Sequence, residues 1–121
     1  TQFTNAFAGK LINIHPSLLP EYPGLDTHKQ ALENGDLMHG ATIHYVDEGL
    51  DSGPIIAQGA LKIDPSQSEA KLAQRIHKIE HALLPKVIAE IAKELISLKG
   101  KEVKFESKSY FGKNNMEFFN V

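Results

Sequence analysis

The chain has 121 residues, 41% of them hydrophobic, with a formal net charge of -2 and a pI near 6.3. These values are typical of a single domain that can bury a core, and they give no support to a role on nucleic acid or at a membrane surface. The absence of cysteine excludes disulfides, zinc–thiolate sites and a cysteine nucleophile, and it fits a cytoplasmic protein. No apolar run reaches the length of a membrane span.

The first element predicted along the chain is a short buried strand from Leu11 to Ile14. An irregular loop follows, because three prolines and a glycine between residues 16 and 24 disfavour both helix and central strand. A short helix is predicted over His28–Asn34, with Thr27 as its N-cap and Gly35 as its C-terminal stop.

Two strands and a long helix are predicted next. Apolar and polar residues alternate over His39–Asp47, and a second strand over Pro54–Ile63 pairs with it as a β-hairpin with a long loop. Ser66 and Glu69 have the spacing of a capping box at the start of a helix. Apolar residues then recur every three or four positions from Leu72 to Leu95, which predicts a long amphipathic helix.

The two ends of the chain are less regular. A final short strand is predicted over Lys101–Glu106, and residues 107–121 have no predicted element.

The first strand, which begins near Lys10, is apolar at both Leu11 and Ile12, as in a strand that is buried on both faces of a parallel sheet. We therefore expect the neighbouring strands of this strand to lie upstream of Thr1, so that the given sequence begins inside a larger fold.

Three polar side chains are predicted to converge where the first strand ends. Asn13 and His15 project from one face at the carboxyl end of that strand, where ligands bind in open α/β sheets. Asp51 comes from the hairpin loop, and a carboxylate beside an imidazole favours the protonated ring. An amide and a protonated imidazole would stabilise an oxyanion, while the carboxylate could accept a proton. Because Ser17 has no evident partner, direct transfer between two bound substrates is favoured over a covalent serine mechanism.

Each histidine also has a purely structural interpretation. His44 shares a face with Thr42 and is either a packed sheet residue or part of the site, and His28 either caps the short helix or lines the site loop. Surface or helix-edge positions are predicted for His39, His77 and His81. No histidine and carboxylate set has a metal-ligand spacing, so no metal is predicted.

Two blocks of the sequence resemble the signature of the folate-dependent formyltransferases. The first is Asn-Ile-His-Pro-Ser-Leu-Leu-Pro at residues 13–20 with Tyr-Pro-Gly at 22–24, and the second comprises residues 40–46 and 50–56. Within the family, residues 25–35 are most similar to those of members that formylate glycinamide ribonucleotide. Deformylases of the family tend to have a second histidine where Pro16 stands and Phe where Leu18 stands.

The resemblance implies an α/β fold of the formyltransferase (Rossmann-like) type, here its carboxyl-terminal half, with part of a mixed sheet, a β-hairpin and a long helix. It implies one domain that lacks its amino-terminal nucleotide-binding half, with a catalytic part at 1–98 and an unassigned tail at 99–121. The implied activity is transfer of the formyl group of 10-formyltetrahydrofolate to glycinamide ribonucleotide in purine biosynthesis. The alternatives are a formyltetrahydrofolate deformylase and a truncated, non-catalytic folate-binding fragment. The partners would be these small molecules, and a homodimer is allowed.

The family's functional residues carry over onto positions of this sequence. Asn13, His15 and Asp51 match its catalytic residues. The positions that match its folate-binding residues are Leu11, Asn13, Val46, Asp47, Glu48, Gly49, Leu50 and Asp51. The positions that match its ribonucleotide-binding segment are His77, Lys78, Ile79 and Glu80, and the resemblance implies that Glu80 accepts hydrogen bonds from the ribose hydroxyls.

Overall fold

A computed structural model of the protein describes residues 11–121, which form six strands and two helices. In chain order these elements are β1 (Ile12–His15), α1 (Thr27–Glu33), β2 (Met38–Tyr45), β3 (Ile55–Lys62), α2 (Glu69–Ala92), β4 (Ile96–Lys99), β5 (Glu102–Phe105) and β6 (Met116–Phe118). Within this part of the chain, no helix is both long and apolar enough to cross a lipid bilayer.

The main sheet is mixed, with the strand order β1-β2-β3-β6. β1 pairs antiparallel with β2, β2 with β3 antiparallel, and β3 with β6 in parallel. The predicted hairpin is therefore confirmed. β4 and β5 form a separate two-stranded sheet, and Gly100, at φ 62°, takes the left-handed conformation that its tight turn requires.

The first strand differs from its prediction. Along β1, Ile12 and Ile14 are half-buried, while Asn13 is exposed and His15 is buried. The two isoleucines share one face of the strand, and the amide and imidazole occupy the other. Each face of β1 is therefore only partly buried among the residues that the structure describes, and the neighbours expected upstream stay a prediction. Lys10, where this strand was expected to begin, lies outside the described residues.

Helix α2 supplies most of the core that covers one face of the main sheet. Its fully buried side chains follow helical spacing, and they are Leu72, Ile76, Ile79, Leu83 and Val87. Gly59 on β3 allows close approach of the helix, because a Cβ there would lie 2.4 Å from the Ile79 Cγ2 atom. This close packing fixes the position of the helix residues near the end of β1.

Both ends of α2 differ from their predictions. Its N-cap is Ser68, whose hydroxyl accepts the Lys71 N–H, whereas Ser66 donates to the Asp64 carboxylate. The capping box was therefore wrong by two residues, because the Asp64–Ser66 turn uses the earlier serine. The helix ends at Ala92 rather than Leu95, since the left-handed Glu94 (φ 60°) reverses the chain.

Helix α1 begins one residue earlier than predicted, at Thr27 itself. The Thr27 hydroxyl donates to the Pro16 carbonyl and does not cap the helix, so the predicted N-cap was wrong. The predicted stop is confirmed: Gly35 follows the helix with φ 67°, a left-handed conformation that favours glycine. The Thr27 contact fastens the start of α1 to the loop that follows β1.

The last 23 residues, which had only one predicted strand, pack onto the rest of the fold. β5 confirms the strand expected over Lys101–Glu106, and β6 extends the main sheet. Phe111 is buried in the core, and the Glu90 carboxylate of α2 accepts hydrogen bonds from the Ser109 hydroxyl and the Tyr110 N–H. The division at residue 98 falls inside β4, so it does not follow an element boundary.

Candidate active site

A histidine and an aspartate meet at the carboxyl end of β1. The His15 Nδ1 atom lies 3.3 Å from Asp51 Oδ2, and side-chain exposure is only 6% for His15 and 9% for Asp51. β1 delivers the histidine, and the loop between β2 and β3 delivers the aspartate in a left-handed conformation at φ 51°. At such low exposure, the interaction between the two side chains is only weakly screened by solvent.

The loop after β1 holds both members of this pair through its backbone. The His15 Nε2–H donates to the Tyr22 carbonyl at 2.7 Å, and the Gly24 N–H donates to Asp51 Oδ2 at 2.9 Å. Because Nε2 is bound to a carbonyl, Nδ1 is the nitrogen that faces the carboxylate. The orientation of the imidazole is therefore defined from both sides.

Asn13 and His44 complete this end of the sheet. Asn13 is exposed, shares a face with His15, and is the register partner of His44 on β2. The His44 Nδ1–H donates to the Tyr45 carbonyl at 2.9 Å, and its Nε2 lies 3.7 Å from Asp51 Oδ1. Asp51 is thus placed between two imidazoles, and the exposed Asn13 amide is accessible to a ligand at the same end.

The hairpin loop forms one wall of a cavity of about 280 Å³. The Asp47 carboxylate accepts the Gly49 N–H and the Ser52 hydroxyl, which closes the loop into a turn. Leu50 is 72% exposed and lines the cavity together with Asp51. The remaining lining residues are Leu19, Pro20, Pro23, Ser52, Gly53 and Ile55.

The other predicted folate-contacting residues flank this loop. Leu11 and Val46 are half-buried and joined by a hydrogen bond from the Val46 N–H to the Leu11 carbonyl, at 2.9 Å. Asp47, Glu48 and Gly49 are exposed. The structure therefore brings the hairpin loop next to the His15–Asp51 pair, with Leu11 and Val46 at its base.

A second cavity, of about 450 Å³, lies on the other side of β1, against helix α2. Ile14 lines it from the strand and Glu80 from the helix, with His81, Leu84 and Pro85. Burial raises the pKa of the Glu80 carboxyl, and the nearby imidazoles of His77, His81 and His15 partly oppose this shift.

The four residues of the predicted ribonucleotide segment separate around the helix. Glu80 faces the second cavity, and the exposed His77 lies beside it, with 3.8 Å between His77 Nε2 and Glu80 Oε1. Ile79 is fully buried in the core. Lys78 lines a different surface depression with Lys71 and Arg75. Only Glu80 and His77 of this segment are therefore close to the site.

The predicted positions of the remaining histidines are only partly confirmed. His39 is buried, not a surface residue as predicted, and its Nε2 lies 3.0 Å from His28 Nδ1. Burial lowers the pKa of His39 to about 4, and the pKa of His28 is also lowered by burial. His28 therefore pairs with another imidazole rather than capping α1, whereas His77 and His81 are exposed, as predicted. Between residues 11 and 121, no group of three side chains has the arrangement of a metal site.

The sequence pattern did not reveal two groups that contact the His15–Asp51 pair, and it left a third, His44, open. The Tyr22 carbonyl and the Gly24 N–H are backbone groups, which leave no side-chain signature. His44, which the sequence left open between a packed sheet residue and a site residue, contacts Asp51 at 3.7 Å.

The fold is of the α/β type. At the end of one strand, a buried imidazole–carboxylate pair lies beside an exposed amide, which is typical of an enzyme active site. The family model described as formyl transferase matches residues 1–88. The chain belongs to this family.

Named relatives agree with this assignment. The chain is 50% identical over 90 residues to phosphoribosylglycinamide formyltransferase of Escherichia coli (strain K12), which covers 74% of this chain and 42% of that protein. A crystal structure of phosphoribosylglycinamide formyltransferase from Anaplasma phagocytophilum superposes with a TM-score of 0.88 at 36% identity, over 98% of this chain and 57% of that one. A formyltetrahydrofolate deformylase from Pseudomonas syringae pv. tomato reaches 0.82 at 28% identity, over 88% of this chain and 36% of that one. The chain thus spans between 36% and 57% of the length of these three proteins, and the predicted formyltransferase fold is confirmed.

Proposed function

We propose that the protein acts as a phosphoribosylglycinamide formyltransferase, which passes the formyl group of 10-formyltetrahydrofolate to the amine of glycinamide ribonucleotide. The observation that carries the proposal is the buried His15–Asp51 pair beside the exposed Asn13, at a strand end between two cavities. The greater identity to a relative of that name than to the deformylase supports the same choice. The proposal includes a cytoplasmic location and small-molecule partners, and a homodimer remains a prediction.

The two cavities suit two substrates that meet at the end of β1. The smaller one is lined by Leu50 and Asp51 of the hairpin loop, and a flat pterin presents both donors and acceptors that would match the backbone groups of that loop. Leu11 and Val46 would add apolar contacts at the base of this loop. The larger cavity offers the Glu80 carboxylate, which would accept hydrogen bonds from ribose hydroxyls. The formyl carbon would then lie near His15, between the two bound molecules.

Three side chains would each have a separate role in the reaction. When the substrate amine attacks the formyl carbon, the carbonyl oxygen becomes an oxyanion, and the Asn13 amide and the His15 imidazolium would stabilise it. Asp51 would accept the proton that the attacking nitrogen loses and return it, directly or through water, to the folate nitrogen that leaves. The products would be formylglycinamide ribonucleotide and tetrahydrofolate, with no covalent enzyme intermediate.

The proposal predicts a strict requirement for both substrates. The complete gene product that contains this chain is expected to form tetrahydrofolate only when 10-formyltetrahydrofolate and glycinamide ribonucleotide are both supplied. Folate absorbance and formate release, measured in parallel with and without ribonucleotide, provide the test. Formate release without ribonucleotide would instead assign a deformylase, and folate binding with neither product would assign a non-catalytic folate-binding protein.

The proposed ribose contact predicts a selective effect of Glu80→Gln. A neutral amide accepts weaker hydrogen bonds than a carboxylate does, so KM for the ribonucleotide is expected to rise about tenfold. KM for the folate is expected to change less than about twofold, because Glu80 lines the other cavity. Steady-state kinetics with each substrate varied in turn give both values. Glu106→Gln, at an exposed position after β5, is the matched control, and equal changes in the two KM values would contradict the assignment.

A further inference from the structure

Tyr22 has an unusual backbone conformation for an aromatic residue. Its φ is 51°, in the left-handed region that non-glycine residues rarely adopt, and Gly24 follows with φ 89°. Such a conformation costs free energy and persists only where surrounding contacts enforce it. In this conformation the Tyr22 carbonyl points at His15 Nε2 while the Gly24 N–H points at Asp51. One short segment therefore holds both members of the pair.

The Tyr22 side chain is fastened to an element outside the site. Its phenol donates to Asp36 Oδ2 at 2.5 Å and accepts the Asn34 Nδ2–H at 2.9 Å, just beyond the end of α1. The Asp36 carboxylate raises the pKa of the Tyr22 phenol, with an opposing contribution from Asn34, so the phenol stays a donor at neutral pH. The ring also packs against the core cluster that contains Ala31. The phenol contacts thus anchor the segment to residues that follow α1.

We propose that Tyr22 is a positioning residue. The hydrogen bonds of its phenol with Asp36 and Asn34 hold the Tyr22 backbone carbonyl against His15 Nε2. With the Nε2–H engaged, His15 presents Nδ1 to Asp51. The phenol therefore acts on the imidazole through the main chain and touches no substrate. The effect on rate rests on the formyl transfer proposed above, but the hydrogen bond itself does not.

The first test measures the hydrogen bond directly. In the complete gene product labelled with ¹⁵N, His15 is expected to show a slowly exchanging Nε2–H proton resonance at neutral pH, assigned by its loss in His15→Gln. Tyr22→Phe keeps the ring and removes the phenol hydrogen bonds with Asp36 and Asn34. In this variant the resonance is expected to broaden or disappear. Tyr110→Phe is the matched control, because it removes another phenol–carboxylate bond, to Glu117, and it should leave the resonance intact. An unchanged resonance in Tyr22→Phe would overturn the proposal.

The second test measures coupling between Tyr22 and Asp36. Tyr22→Phe and Asp36→Ala are each expected to lower kcat about tenfold with little change in either KM, since a displaced imidazole impairs chemistry more than binding. The double variant is expected to lose no more than Tyr22→Phe alone, because that variant already removes the hydrogen bond to Asp36. Asp36→Asn keeps an oxygen acceptor and should retain most of the rate. A loss of kcat in the double variant equal to the product of the two single losses would overturn the proposal that Tyr22 and Asp36 act through one hydrogen bond.

The two tests separate this inference from the proposed function. If the wild-type protein transfers no formyl group, the proposed function fails, and the NMR comparison still decides whether the phenol holds the His15 hydrogen bond. If Tyr22→Phe does not fold, as judged by circular dichroism, Asp36→Ala removes the same bond from outside the segment and replaces it in the NMR comparison. Retention of the Nε2–H resonance in that variant would then overturn the proposal.

Discussion

Replacing His15 by alanine, or Asp51 by asparagine, is expected to lower kcat for formyl transfer by on the order of a hundredfold or more in the complete gene product. His15→Ala removes the imidazole that is proposed to stabilise the oxyanion, and Asp51→Asn removes both the carboxylate charge beside that ring and the proposed proton acceptor. The two side chains are in contact at 3.3 Å and nearly buried, so neither is readily replaced by water. Substrate KM values are expected to change much less than kcat, because these interactions strengthen only in the transition state.

Stopped-flow or steady-state measurement of tetrahydrofolate formation gives the rates for this comparison. Asp64→Asn is the matched control for Asp51→Asn: it makes the same carboxylate-to-amide change in the exposed turn before α2. The double variant at positions 15 and 51 is expected to be little worse than the worse single variant, since the two residues act as a unit. Near-normal turnover in either single variant would remove that residue from the mechanism.

The free energy of unfolding is expected to fall steeply as the pH is lowered from about 6.5 towards 4, because His39 is buried as a neutral imidazole. Its folded pKa of about 4 is below the ordinary value of 6.5, so in this window the unfolded chain binds a proton that the folded protein excludes. The contribution is fully present above pH 6.5 and is lost as the pH falls to the folded pKa. At about 1.4 kcal/mol per pH unit, the total loss is about 3 kcal/mol.

Urea unfolding at several pH values measures this dependence. His39→Gln removes the titrating group while keeping a polar side chain that can contact His28, so its stability is expected to depend less steeply on pH over the same window. Carboxyl groups that titrate in this range affect both proteins alike, and the difference between the two slopes isolates His39. Identical slopes for the two proteins, or an NMR titration of His39 with a midpoint at or above 6.5, would refute the assignment.

Local sequence patterns were sufficient for β2, β3 and α2, but not for β4 and β6, which had no predicted counterpart. Alternation of apolar and polar residues predicted β2 and β3, and helical spacing from Leu72 onward predicted α2, because these patterns reflect which face of an element is buried. Their exact ends were missed where several local hydrogen bonds compete. Ser66 was expected to cap α2, but it binds Asp64, and Ser68 caps the helix instead.

The sequence by itself determined which residue types are available at the end of β1. The spacing of Asn13 and His15 places both on one face, and the family motif adds Asp51 from 36 residues further along the chain. Only the tertiary structure decided how they are held. The Tyr22 carbonyl and the Gly24 N–H are present in every possible fold of the chain, and they become partners of the pair only because the loop closes over it. Backbone groups carry no residue-specific signal, so contacts that depend on loop closure cannot be inferred from residue type and spacing.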